Sequence, residues 1–175
     1  TFDNGGKVGI NTATPAAPLD LAGRMGMNDG NNNVCIGDLA GSTMSTGDKS
    51  VFVGIESGQT NTIGYKNTAL GYQALSSNAD GSNNVAIGYR ALLSMDPAAA
   101  TLMYNVAVGH DAGAVVSTGV QNTIVGGLAG DALTSGMNNI AIGYNALGLE
   151  DTSSCSVAIG SHALEDQDSA AGTAY

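Results

Sequence analysis

The sequence predicts an all-β chain, a parallel β-solenoid of eight 17-residue coils that assembles with copies of itself. Three observations predict it. A phrase of the form Asn-Val-Ala-Ile-Gly recurs at fixed spacing, each copy carries strand-forming residues in the same columns, and a second glycine falls at a fixed offset in most copies. Repeats of fixed period mark architectures in which each unit buries its apolar surface against its neighbours.

The phrase reads Asn33-Val34-Cys35-Ile36-Gly37, Asn67-Thr68-Ala69-Leu70-Gly71, Asn84-Val85-Ala86-Ile87-Gly88 and Asn139-Ile140-Ala141-Ile142-Gly143. Over all eight copies its glycine stands at Gly37, Gly54, Gly71, Gly88, Gly109, Gly126, Gly143 and Gly160, in steps of 17, 17, 17, 21, 17, 17 and 17. Columns are numbered from this glycine. Column −3 is β-branched in every copy and column −1 aliphatic in every copy, the period of an extended strand. Column −4 is Asn or Ser, whose side chain bonds neighbouring backbone where a turn enters a strand, or bonds its equivalents in a ladder. Glycine at 0, and at −7 in six copies, marks two bends. Two short strands and two turns per coil are therefore expected, with coils about 4.8 Å apart. Column +4 alternates between Gly and Leu, and an apolar residue at +7 (Met44, Val116, Leu133) follows three of the four glycines. One apolar plug per coil, supplied from either position, accounts for this.

Column −2 reads Cys35, Phe52, Ala69, Ala86, Ala107, Ile124, Ala141 and Ala158, with no polar member. A half-exposed strand alternates apolar with polar. A strand apolar on both sides is expected to fill the coil interior with one face, taken as −3 and −1. The other face, the −2 column, is then covered by further copies of the chain. The solenoid is expected over 30–167, preceded by a connector over 1–29 and followed by a tail over 168–175.

Composition excludes several classes. Fifteen acidic residues against five basic ones give a net charge of −10, which excludes a nucleic-acid partner. No apolar run is long enough for a transmembrane helix, so membrane insertion is not expected. The chain begins at Thr1 with no basic-plus-apolar leader, as a processed or truncated piece would. Only 11% of residues are charged, and none of these occupies columns −4 to −1, +3 or +4.

The run Asn84-Val85-Ala86-Ile87-Gly88-Tyr89-Arg90-Ala91-Leu92 and its near-copies resemble the head repeat of trimeric autotransporter adhesins, and similar repeats occur in bacteriophage tail fibres. The resemblance covers about residues 30 to 165. Val8-Gly9-Ile10-Asn11-Thr12, then Pro15, then Leu19-Asp20-Leu21 resemble a second tail-fibre element, with Asn11 where that element has another Gly. Together they imply a phage tail fibre: three chains packed as left-handed β-rolls around a common axis, located in the virion. The implied partners are two further copies, other tail proteins of the virion, and a host cell-surface glycan or protein. The alternatives are the head of a bacterial trimeric adhesin at the cell surface and, in another class, a polysaccharide-degrading tail spike.

Candidate contacts with a receptor are few. Four extra residues fall around Met95-Asp96-Pro97-Ala98-Ala99-Ala100, and insertions in solenoids emerge as loops that are either binding surfaces or merely tolerated. Tyr72, Tyr89 and Tyr144 follow the repeat glycine, with His110 in the same column. They form either a stacked corner ladder or an aromatic platform for a sugar. No catalytic, cofactor or metal site is expected. His110 and His162 lie three coils apart and Cys35 and Cys155 seven. Glu150, Asp151, Glu165 and Asp166 read as a solvated acidic end, although paired carboxylates are what a spike hydrolase would need. Gly5-Gly6 and Gly126-Gly127 lack the Lys-Ser/Thr of a phosphate loop.

Overall fold

A computed structural model describes residues 24–27, 32–149 and 151–165. Among these the chain is all-β, with no helix. Each copy of the repeat forms one short strand at columns −3 to −1: β2 (Val34–Gly37), β3 (Val51–Val53), β4 (Thr68–Leu70), β6 (Val85–Ile87), β8 (Val106–Val108), β9 (Thr123–Val125), β10 (Ile140–Ile142) and β11 (Val157–Ile159). They stack as one parallel sheet in which every residue pairs with its own column, Ala69 with Ala86 and Ala86 with Ala107. The result is a β-solenoid of about seven turns. β1 (Arg24–Met27), from the expected connector, pairs antiparallel with β2 and covers the first edge of the sheet. The rest of that connector, including Asn11, and the tail over 168–175 lie outside the described residues.

The second strand is largely missing. Only β5 (Gly81–Ser82) and β7 (Thr101–Leu102) form another parallel pair. The cause is backbone conformation: in every coil, columns −5, +2 and +4 are left-handed, with φ between 50° and 61°. Three left-handed residues per coil turn the chain too sharply for an extended run. Coil-to-coil hydrogen bonds persist around the bends nonetheless. The Leu75 N–H donates to the Ala91 carbonyl at 3.0 Å, and that of Leu92 to the Ala112 carbonyl at 3.1 Å.

The interior is the reverse of the expected one. Cys35, Phe52, Ala69, Ala86, Ala107, Ile124, Ala141 and Ala158, placed by the sequence reading at an interface between chains, are all buried inside the coil. The −3 and −1 residues face outward. The reason is width. The −2 side chain meets the turn half of its own coil, where +3 is Ala or Ser and +4 is Gly or Leu, and only a limited volume fits between. Ala at −2 is opposite Leu at +4 in the coils of Leu75, Leu92, Leu147 and Leu164, whereas Cys35, Phe52 and Ile124 are opposite Gly41, Gly58 and Gly130. A Cβ on Gly58 would lie 2.5 Å from the Phe52 ring. The plug expected at +4 or +7 is present: Leu75, Leu92, Leu147, Val116 and Leu133 are fully buried and Met44 packs against the same core.

Column −4 is buried in every coil but the last, where Ser156 is half-buried, and it fastens one coil to the next. The Asn105 Oδ1 accepts the Asn122 backbone N–H at 2.9 Å, and its Nδ2 donates to the Gly119 carbonyl at 2.8 Å. Asn122 and Asn139 repeat both bonds one and two coils on. In every coil but the last the zero-column glycine is required by contact between coils: a Cβ on Gly126, whose φ is +138°, would lie 2.3 Å from the Gly143 carbonyl oxygen.

Candidate functional site

Two exposed features stand out, one along the whole sheet and one at a corner of the middle coils. The first is the outward sheet face made by columns −3 and −1. Ile36, Leu70 and Ile140 are about two-fifths exposed and Ile159 is 65% exposed, and the sixteen positions hold no charged residue. An outward strand face in water ordinarily alternates in polar side chains. A continuous apolar strip of this kind marks an interaction surface. The exposed apolar face of the sheet therefore lies one residue either side of the −2 column, to which the sequence reading assigned it.

The second feature is the corner column after the repeat glycine. Tyr72 stacks on Tyr89 with ring centroids 5.6 Å apart and planes 12° off parallel, and Tyr89 stacks on His110 at 4.9 Å. Tyr144 meets His162 edge-on at 5.5 Å instead, because Gly127 interrupts the column between His110 and Tyr144. Tyr72, Tyr89 and Tyr144 are exposed, so the stacked ladder is also accessible from outside. The neighbouring +2 column is polar except at Leu39 and Leu128: Gln73 Nε2 donates to Glu56 Oε2 at 2.7 Å, and Asp111 sits between Arg90 (3.4 Å) and His110 (3.0 Å).

Compared with protein-family models, curated proteins and solved structures, the chain matches none. Its candidate sites therefore rest on geometry.

The insertion is less exposed than expected. Met95 is fully buried and Pro97 is buried as well, so neither forms the outer surface of the loop. Met95 occupies +7, the plug position of its coil, and Pro97 packs beside Gly81, its Cγ 3.3 Å from where a Cβ there would be. Asp96 and residues 98–100 are what the loop presents to solvent. The missed signal was that Leu92 and Met95 are both apolar, so this coil fills its interior from +4 and +7 together.

At the acidic end, Asp151 is exposed, while Glu165 accepts from Asn145 Nδ2 and contacts His162 Nδ1, each at 2.5 Å. Glu150 and Asp166 lie outside the described residues. Among those described, no three His, Cys, Asp or Glu side chains gather as a metal site would require, and no helix is long and apolar enough to cross a membrane. Cys35 is interior and Cys155 is on the surface seven coils away. One acidic pair escaped the sequence reading. Asp131 at +5 lies close enough to Asp111, one coil earlier, for the two charges to interact, and burial pushes the Asp131 carboxyl above its usual range with Asp111 adding to the rise.

Proposed function

We propose that this chain is a structural and host-binding segment of a phage tail fibre, a rigid rod of three left-handed β-rolls that adheres to a host cell surface. The observation that carries the reading is the uncharged apolar strip along the outward face of the sheet. Burying apolar surface contributes roughly 25 cal/mol per Å², and a strip repeated on every coil offers that gain along the whole rod. A narrow coil with mostly alanine on its inner strand has little interior of its own, so association supplies part of its core. Cyclic closure around an axis places the same strip of each copy against the others. The handedness and the number three follow the resemblance of the repeat phrase to adhesin heads and tail fibres.

Function then follows from mechanics. The coil-to-coil ladder stiffens the rod, and three copies present three identical outer surfaces. Weak contacts at each surface add through effective concentration. The exposed tyrosine column and the solvent side of the insertion, Asp96 with residues 98–100, are the surfaces offered to a receptor.

Two measurements test the reading. Sedimentation equilibrium should give three times the 17.3 kDa chain mass; a monomer at micromolar concentration overturns it. Fluorescently labelled protein should be retained on some bacteria in a panel of differing surface polysaccharide and lost with an excess of unlabelled protein. Release of reducing ends from those polysaccharides would instead make the protein a spike hydrolase.

A further inference from the structure

The outward face has fourteen aliphatic positions and two that are not, Thr68 in β4 and Thr123 in β9. Both point outward with the rest of column −3 and are half-buried. Neither hydroxyl has a hydrogen-bond partner among the described residues. Threonines on the turn half of the coil behave differently. The Oγ1 of Thr60 donates to the Ser76 carbonyl at 2.8 Å and that of Thr134 to the Asp151 carbonyl at 2.9 Å, each in the next coil. On the strand face the adjacent carbonyls are committed to the ladder, so an outward hydroxyl finds no acceptor among the described residues.

We infer that Thr68 and Thr123 set the axial register of the assembly, each bonding to the same threonine in two further copies of this chain that lie parallel and level with it. The inference rests on the trimeric reading above. The occupant of the face is argued from the face itself. It is the uncharged side of a chain whose net charge is −10, and it repeats the same spacing of small aliphatic side chains on every coil, so another copy is its natural complement.

A repetitive apolar strip has one weakness. Sliding a copy by one coil sets valine against valine again, and aliphatic contacts alone scarcely distinguish the two positions. A polar residue within an apolar seam resolves such ambiguity, because only the matched position satisfies its hydrogen bond. A slip of one or two coils would set each threonine hydroxyl against an aliphatic neighbour and leave it buried and unbonded, which is unfavourable. A slip of three coils matches Thr68 with Thr123 but removes three coils from contact. Three-fold closure suits the chemistry as well. Around an axis each hydroxyl donates to the next and accepts from the one behind, whereas a pair of hydroxyls leaves one proton without an acceptor.

Cys155 makes the register measurable, since it is exposed near one end of the rod while Cys35 is only 3% exposed. A nitroxide on Cys155 of the natural trimer should give one narrow inter-label distance by double electron–electron resonance. The T68V/T123V variant should still sediment as a trimer. Its distance distribution should broaden towards longer values, because axial offsets in multiples of about 4.8 Å add in quadrature to the lateral separation of the labels. Adding Val85→Thr to that variant should restore a single distance by moving the matched layer one coil. A single narrow distance in T68V/T123V, or its dissociation to monomers, overturns the inference while leaving a trimeric natural protein intact. A natural protein that sediments as a monomer overturns the trimeric reading itself.

Discussion

Among the described residues Phe52 is the largest fully buried side chain, and it owes its place to the missing side chain of Gly58. The same exchange in reverse operates two coils on, where Ala86 is opposite Leu92. Phe52→Ala should therefore open a cavity and cost about 3–5 kcal/mol. Gly58→Leu alone should be destabilising as well, because its Cβ would fall 2.5 Å from the ring. Together the two changes give this coil the Ala-and-Leu pairing of its neighbours. The Leu replacement has a precedent for its backbone, since Leu75 and Leu92 adopt φ of 55° and 50° where Gly58 has 56°. The double variant should melt higher than either single one by circular dichroism; strictly additive losses would show that the two positions do not share a volume. The size exchange was legible in the sequence and fixes the inward face, yet periodicity alone gives two equivalent faces to a strand apolar on both. Only pairing −2 with +4 tells them apart.

At the scale of the coil, the strand, the glycine bends and the asparagine column were readable because each depends on residue type at one position. The second strand was not. Its left-handed positions are held by residues as different as Lys66, Arg90, Leu128 and Cys155, which carry no common signal. Such residues ordinarily cost about 1–2 kcal/mol there, and the hydrogen bonds between coils hold them in place. The Asp111–Asp131 pair arises from this geometry, since it joins +2 of one coil to +5 of the next. Because burial first, and the neighbouring Asp111 after it, raise the Asp131 pKa above the ordinary aspartate value, the folded form holds its proton more tightly than the unfolded chain. The resulting destabilisation is absent below the unfolded value, grows as pH rises through the interval up to the raised one, and is complete above it. Asp131→Asn should accordingly raise the melting temperature at pH 7, with the advantage disappearing as the pH falls below 4. An unchanged melting temperature at pH 7 would mean that the carboxylate is already well solvated.

For the whole molecule, the decisive contrast lies between two adjacent residues of β6. Ala86 points into the coil and is fully buried, whereas Ile87 points out and is partly exposed. The strand columns by themselves show only that the strand is apolar on both sides; which side is the narrower emerges only when −2 is paired with +4 across the coil. That ordering depends on the long-range closure of the coil. A glutamate at the two positions should accordingly have opposite consequences. Ala86→Glu forces an unpaired charge into a space sized for a methyl group, so the coil should lose its cooperative melt and its β signal in circular dichroism. Ile87→Glu leaves the coil interior untouched and, in the proposed trimer, repeats a like charge three times around the shared axis. It should retain the β signal, sediment at one third of the natural mass and shed label from cells, because avidity requires several copies on one rod. If Ile87→Glu remained assembled while Ala86→Glu stayed folded but fell apart, the chains would meet through some surface other than the outward face of this sheet.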